Sequence, residues 1–579
     1  MKNKEQKRWY QLLAAFTAAG MFLTGCGNAV TGSGKEGTQT QAAGNTINTE
    51  SIESGAGKAG EVTILDVTDL FTNRDREVGY DESECVKIEL TGTSAQSESG
   101  NVKIENDTVR ITEEGSYLIS GKLQGQIVID AESSDKIQLI LDGAEISCGN
   151  SAALYVKQAD KVFVTTASGS NNLLETTGGY VAIDDNNIDG AVFAKDDITF
   201  NGEGSLTVKS PSGNGIVGKD DLVITSGDYE ISAGNHGLQG KDSVRIANGN
   251  LVINAGEDGI HSGNDEDETV GYTYIAGGSL TLTVGDDGIH SDTQLVIAGG
   301  SLNITQSYEG LEGMEIEITD GEISVVSRDD GLNAAGGNDG SGTQNTNSGK
   351  GGFGEDPFAA NGKNQIIISG GVLKVNAEGD GIDSNGNLYI NGGEILVYGP
   401  SNGGNGALDF GGGGYIYGGS VIAMGSGQMA VNFASDSGQC AIMVNAQSVQ
   451  AAGTKVILQD AAGNVLLSTV SEKSFDNVVF SFDQILVGET YTVVIGEETT
   501  EIEMSETIYG AGSGMGGHGG MGGRGGKGEF TNPGDFGNKE GFGNKEERDQ
   551  MRRPMDGEKP EQTPEQIPGQ MPENAFPSM

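Results

Sequence analysis

One short phrase returns along the middle of the 579-residue chain, and each strong copy sets a carboxylate before a glycine. It reads Asp258-Gly259-Ile260-His261-Ser262, then Asp287-Gly288-Ile289-His290-Ser291, then Glu309-Gly310-Leu311-Glu312. Asp330-Gly331-Leu332-Asn333 and Asp380-Gly381-Ile382-Asp383-Ser384 follow. If each copy holds the same place in a stacked repeat, neighbouring carboxylates repel strongly. Either their pKa values rise or cations sit between them. Oxygen-rich clusters without His/Cys ligand spacing suit Ca²⁺. The candidate metal ligands are Asp258, Asp287, Glu309, Asp330 and Asp380, joined by Asp286, Asp292, Glu312 and Asp329. Glu257 and the acidic loop Asp265 to Glu268 add charge nearby. Asp before Gly is also ordinary turn chemistry, in which the carboxylate caps a backbone N–H, so both readings stand.

His261 and His290 fall two places after the repeated glycine, where side chains alternate outward. Asn333 and Asp383 share that stripe with Glu312, and together they form the candidate ligand-binding surface. Imidazoles there would titrate near neutrality; a plain solvated ladder is the competing reading. No Ser/His/Asp arrangement is readable, so no catalytic residue is assigned. Arg328, beside Asp329 and Asp330, is the basic residue best placed for chemistry, with a salt bridge to a neighbouring carboxylate as its simpler role. Lys195, Lys219 and Lys241 make a second small ladder, expected to balance Asp196, Asp220 and Asp242.

The elements that must position these groups follow from the period. Weaker copies occur at Asp189-Gly190, Asn214-Gly215-Ile216, His236-Gly237-Leu238 and Asn405-Gly406-Ala407. The steps between successive glycines are 25, 22, 22, 29, 22, 21, 50 and 25 residues, a repeat near 22 with insertions. Each period holds three short β-branched runs, such as Ile289-His290-Ser291, Leu295-Val296-Ile297 and Ser301-Leu302-Asn303-Ile304. Three strands in 22 residues are too few for a propeller blade and lack the leucine-rich pattern. They suit one coil of a parallel β-helix, right-handed by the chirality of parallel crossovers. The fold class is therefore all-β, with Ile or Leu after each repeated glycine stacked into an inner ladder. Insertions at Asn264–Glu268 and Gly336–Gly362 lengthen two coils, which should resume at Tyr272-Thr273-Tyr274-Ile275 and Gln365-Ile366-Ile367-Ile368.

Composition bounds the rest. With 34 basic and 83 acidic residues the chain carries a balance of −49. Such a surface repels nucleic acid and anionic membrane and offers carboxylates to cations. Residues 1–25 read as a lipoprotein signal: Lys2, Lys4, Lys7 and Arg8, an apolar run from Leu12 to Phe22, then Leu23-Thr24-Gly25-Cys26. Cys26 is the expected lipidation site, which would anchor the chain on the outer face of a bacterial membrane as its only membrane contact. Residues 26–60 read as a flexible tether, 61–440 as the β-helix, 441–509 as a small β cap and 510–579 as a disordered Gly/Met/Pro-rich tail. Cys85, Cys148 and Cys440 have no metal-ligand spacing and read as small hydrophobes. A single copy is expected to act alone.

Certain phrases resemble a bacterial surface family of carbohydrate-binding proteins, typified by a clostridial cellulose- and polygalacturonate-binding protein. They are Gly115-Ser116-Tyr117-Leu118-Ile119-Ser120-Gly121, Leu139-Ile140-Leu141-Asp142-Gly143 and Ala194-Lys195-Asp196-Asp197-Ile198. Ser307-Tyr308-Glu309-Gly310-Leu311-Glu312 and Ser327-Arg328-Asp329-Asp330-Gly331-Leu332-Asn333 also match. The resemblance spans roughly residues 105–500. It implies a right-handed parallel β-helix, bound Ca²⁺ and binding of plant-type polysaccharide without established catalysis. The 336–362 insertion and the tail fall outside the pattern.

The one tryptophan, Trp9, lies in the signal. Flat glucans are gripped by aromatic platforms, for which this chain offers only residues such as Tyr308, Tyr398, Tyr415 and Tyr417. Acidic sugar held through Ca²⁺ is the better fit. A Ca²⁺-dependent polysaccharide lyase, with Arg328 or a ladder lysine as base, and a purely structural adhesin are the alternatives.

Overall fold

The computed structural model describes residues 70–264, 266–335 and 364–510, and every regular element among them is a β-strand. All of these residues belong to one compact unit, Met1–Gly517. The signal, Cys26, the tether, Asp265, the 336–362 insertion and residues 511–579 lie outside the described residues.

The chain winds into a parallel β-solenoid of about 11 turns, with three stacks of strands. One coil runs through Ile260–Ser262, Tyr272–Ile275 and Ser279–Val284. The next uses a single bent strand, Ile289–Ile297, for two stacks and Ser301–Ser307 for the third. Each coil pairs in parallel with its neighbour: Ile260 with Ile289, Thr273 with Leu295, Leu280 with Leu302. The β-branched and leucine-rich runs suit this pleated setting, where alternate side chains face in and out.

In the first stack Ile216, Leu238, Ile260, Ile289, Leu311, Leu332, Ile382 and Leu408 stand in register, all buried. This is the inner aliphatic ladder expected from the repeat. Each rung removes a whole aliphatic side chain from water, about 2 kcal/mol apiece. The coils resume after both insertions where expected. Ser243 pairs with Tyr272, and Glu315 pairs with Gln365.

The repeated glycine is explained by crowding. A Cβ on Gly310 would lie 2.3 Å from the carbonyl oxygen of Gly331, and one on Gly237 would lie 2.3 Å from a methyl of Ile253. The two outermost copies of the phrase slip by one residue. Gly190 pairs with Asn214, and Ile382 pairs with Leu408, so Ala191 and Ala407 hold the glycine place. The outer coils thus admit a methyl where the inner coils admit none.

The last coil is closed by antiparallel pairing. Phe475–Ser481 pairs with Ser420–Gly425 on one side and Ala441–Gln450 on the other. A four-stranded antiparallel sheet built from Lys455–Asp460, Val465–Val470, Thr490–Ile495 and Glu498–Glu503 packs over Tyr398, Ile422 and Met424. It covers the outward side chains of the last coils, while the open hydrogen-bonding edge is paired by Phe475–Ser481. Near the other end, Asp75 is buried against the second stack. It accepts a hydrogen bond from Thr199 at 2.7 Å and pairs with Lys161 at 2.9 Å. Cys85, Cys148 and Cys440 are free thiols, the last two buried.

Candidate functional site

Two parallel stripes run along the corner where the third stack turns into the first. The residue before the repeated glycine forms one stripe, and its side chain spans coils. Asp258 Oδ1 accepts the backbone N–H of Asp287 at 2.9 Å, and Asp287 Oδ1 accepts that of Glu309 at 3.2 Å. Asp330 Oδ1 accepts the N–H of Asp380 at 2.6 Å, and Asp380 accepts that of Gly406. The capping reading is therefore correct for one oxygen of each carboxylate, with the donor on the next coil. The second stripe holds Gln239, His261, His290, Glu312, Asn333, Asp383 and Asp409 in unbroken register. Asp409 completes it and was hidden by the one-residue slip of the last copy.

The stripes divide into two chemistries. In the upstream half three imidazoles stack. The His236 and His261 rings lie 4.4 Å apart, and those of His261 and His290 lie 4.7 Å apart. His236 was missed as a site residue. It stands in the acidic place one coil before Asp258, at the 22-residue step, and that spacing was the available signal. Asp258 Oδ2 sits 3.1 Å from His236 Nδ1 and 2.8 Å from His261 Nδ1. His290 Nδ1 faces Glu312 at 2.5 Å and Asp287 at 3.5 Å, while its Nε2 lies 3.3 Å from Asp292.

The direction of the pKa shift alternates along this stack. Burial pulls all three imidazoles down, but Asp258 and Glu257 outweigh it at His236, whose pKa stands above the usual range. Asp287, Asp292 and Glu312 raise His290 well above it. For His261 burial wins over Asp258, and the two flanking imidazoles add to the lowering. Lowering the middle ring while its neighbours are raised reduces like-charge contact along the stack. Burial raises Asp258, but its two histidines more than reverse that. Burial with Asp258 and Glu312 close by raises Asp287. Asp286 is pushed up to about 6 by burial and by Asp258, Glu257 and Glu312.

The downstream half is all oxygen. Atoms of Asp330, Asp380 and Asp383 come within 4.8 Å of one another. Burial, then Asp380, Asp383 and Asp329, push Asp330 up to about 9. Burial, then Asp383 and Asp409, push Asp380 up to about 8. Oδ1 atoms of Asp329 and Asp330 both lie within 2.4 Å of where a Cβ on Gly379 would stand, so only a glycine leaves these carboxylates their place. Glu309 belongs to the same corner through its hydrogen bond from Asn333 Nδ2 at 2.8 Å.

Arg328 is tied into the backbone instead. It donates to Ser307 O at 3.3 Å and to Gly285 O, two preceding coils, and its guanidinium lies 5.7 Å from the Tyr308 ring centre. The expected salt bridge to a carboxylate gives way to carbonyl acceptors, which clamp the corner. Of the tyrosines named from the sequence, Tyr417 is exposed and Tyr308 half-buried. Tyr398 is buried under the cap, and Tyr415 stacks on Tyr389 with centres 5.4 Å apart, each covering a face of the other.

Fold and site together define a parallel β-solenoid carrying a polar stripe along one corner. Residues 105–352 match the family model described as carbohydrate-binding domain-containing protein. A carbohydrate-binding domain-containing protein of Acetivibrio thermocellus is 37% identical over 135 residues, which cover 23% of this chain and 47% of that protein. The chain thus spans about half the length of that curated relative. A solved structure titled as a polysaccharide lyase-like protein from C. thermocellum, gadolinium derivative, is 32% identical with a TM-score of 0.35. That match covers 42% of this chain and 96% of the other. The resemblance read from the sequence is borne out as one to a carbohydrate-binding domain family over residues 105–352, short of the expected extent to about residue 500.

Proposed function

We propose that this chain is a carbohydrate-binding protein whose corner groove holds acidic polysaccharide through Ca²⁺. The family match supports carbohydrate as the ligand class. The observation that carries the metal reading is the Asp330–Asp380–Asp383 cluster. Its carboxylates converge from two coils, and burial together with the surrounding acids drives Asp330 and Asp380 towards protonation. Such a set fits a hard cation with oxygen ligands. Asp329 and Asp409 stand beside it. When bound, Ca²⁺ supplies charge neutralisation and open positions for a sugar carboxylate. The chain's own residues set the place: Gly379 leaves room, and Asp380 N–H fixes the Asp330 rotamer. The His-bearing half offers nitrogen beside oxygen and is not assigned to Ca²⁺.

In the same reading Cys26 tethers the protein at the outer membrane face, which places the groove where extracellular polysaccharide passes. Calorimetric titration of the metal-free chain with CaCl₂ tests the metal half of the proposal. Binding that disappears in Asp380→Asn is expected; an absence of Ca²⁺ binding would leave a solely structural ladder.

A further inference from the structure

The corner that follows the first stack carries the strip of lysines. Ala194, Gly218 and Gly240 are in register, so Lys195, Lys219 and Lys241 step along three successive coils. They do not balance the adjacent aspartates as the sequence suggested. Asp196 accepts the N–H of Ala159 at 3.0 Å, and Asp242 accepts from Asn264 at 2.6 Å. Asp220 is pushed up to about 7 by burial and by Asp197 and Asp242, with no lysine among the causes. Lys219 acts electrostatically on the half-buried Asp189, and its Nζ lies 5.5 Å from the ring centre of Phe193. Lys241 is held at 2.6 Å by Glu266, a residue whose side chain is 81% exposed. An ion pair that open to water is weak and easily exchanged.

These lysines flank a cleft of about 300 Å³ lined by Gly218, Lys219, Gln239, Lys241, Gly263 and Glu266. The cleft opens onto the outward stripe of the first stack, because Gln239 stands in register with His261. His261 engages Asp258 through Nδ1, and its Nε2 has no protein partner among the described residues. One coil further upstream the stripe is closed. Val217 and Phe193, the next two positions, are buried with Tyr155 and Ile188, and Tyr180 packs on them. The stripe therefore ends upstream in a blind, lysine-flanked cleft at Gln239. Its far end is the carboxylate cluster around Asp330.

We propose that this blind end is a metal-independent subsite for the carboxylate of one uronic acid residue. Lys219 and Lys241 hold the carboxylate, and Gln239 and His261 Nε2 hold sugar hydroxyls. The inference rests on the reading that the groove takes acidic polysaccharide, and it gives that ligand a second, different grip. A strip of ammonium groups is otherwise out of place in a chain with 83 acidic and 34 basic residues. The two grips also set a length requirement. Gln239 and Asn333 are separated by four coil steps, through His261, His290 and Glu312. At about 4.8 Å per step that is about 19 Å. A ligand that spans this distance gains the second contact as an intramolecular event, with a steep rise in affinity.

The test uses the full chain saturated with Ca²⁺ and titrated with galacturonate oligomers of increasing length, alongside Lys219→Ala and Lys219→Arg. Wild type is expected to show a jump in affinity once the oligomer exceeds about 19 Å. Lys219→Ala should lose about tenfold for those longer oligomers, keep the wild-type response to Ca²⁺ and keep its melting temperature. Lys219→Arg should retain most of the binding. Carboxyl-reduced oligomers should not distinguish wild type from Lys219→Ala. If wild type binds the oligomers and Lys219→Ala binds them equally well, the subsite is refuted while acidic-polysaccharide binding stands. If wild type binds none of them with Ca²⁺ present, the reading beneath it falls as well.

Discussion

Asp380 donates its backbone N–H to the Asp330 carboxylate at 2.6 Å, although the two residues stand fifty positions apart in the chain. The bond fixes one Asp330 oxygen in a cluster whose Asp330, Asp380 and Asp383 atoms lie within 4.8 Å of one another. Asp330→Asn keeps the acceptor oxygen and removes the charge. We expect it to lower Ca²⁺ affinity at least tenfold in calorimetry, with the β-sheet circular dichroism unchanged.

The same cluster sets a pH dependence in the metal-free protein. Asp330 and Asp380 have folded pKa values of about 9 and about 8 against an ordinary 3.8. For a carboxyl raised on folding, stability is complete below 3.8 and is lost as pH rises through the folded value. Other carboxylates in the chain act in the opposite sense, so the comparison must be internal. The stability advantage of Asp330→Asn/Asp380→Asn over wild type in EDTA should grow steadily from pH 4 to pH 9. Added Ca²⁺ should erase it. A flat difference across that range would mean the two carboxylates are solvated.

The imidazole stack gives a readout that needs no ligand. In a ¹H–¹³C NMR titration, His236 and His290 should titrate above the usual histidine range and His261 below it. Asp258→Asn should bring His236 down towards the usual value, because it removes that ring's strongest partner. Three coincident titrations near 6.5 would contradict the alternating pattern.

Crowding at the repeated glycine is tested by Gly310→Ala. The new methyl would meet the Gly331 carbonyl and a Val325 methyl, both at 2.3 Å. Overpacking of this kind costs about 1–3 kcal/mol, measured by urea denaturation. The reverse change at the outer coil, Ala407→Gly, should cost less than about 1 kcal/mol, since that place already admits a methyl.

The architecture was legible because the chain repeats one physical solution. Ile or Leu after each glycine must be inward, and the 22-residue step leaves room for three short strands. Aspartate before glycine was legible as a ladder, but not that its oxygens would cap the next coil. That depends on coil-to-coil register, which periodicity gives only to within a residue, as Ala191 and Ala407 show. His236 was overlooked because it stands in the carboxylate stripe, and only stacking brings its ring onto His261. Arg328 looked like a partner for the acids beside it, yet its length lets it reach carbonyls on two earlier coils. The division of the groove into a nitrogen-bearing half and an all-oxygen half follows from side-chain convergence, which one sequence does not display.

The most direct test of the account is equilibrium binding of the full chain to polygalacturonate in CaCl₂ and in EDTA, read by co-sedimentation. Wild type is expected to sediment with the polysaccharide in calcium and to lose at least tenfold in affinity when chelated. Asp330→Asn/Asp380→Asn should remain weak in both conditions. Wild-type binding retained in full in EDTA would contradict the metal bridge at Asp330, Asp380 and Asp383.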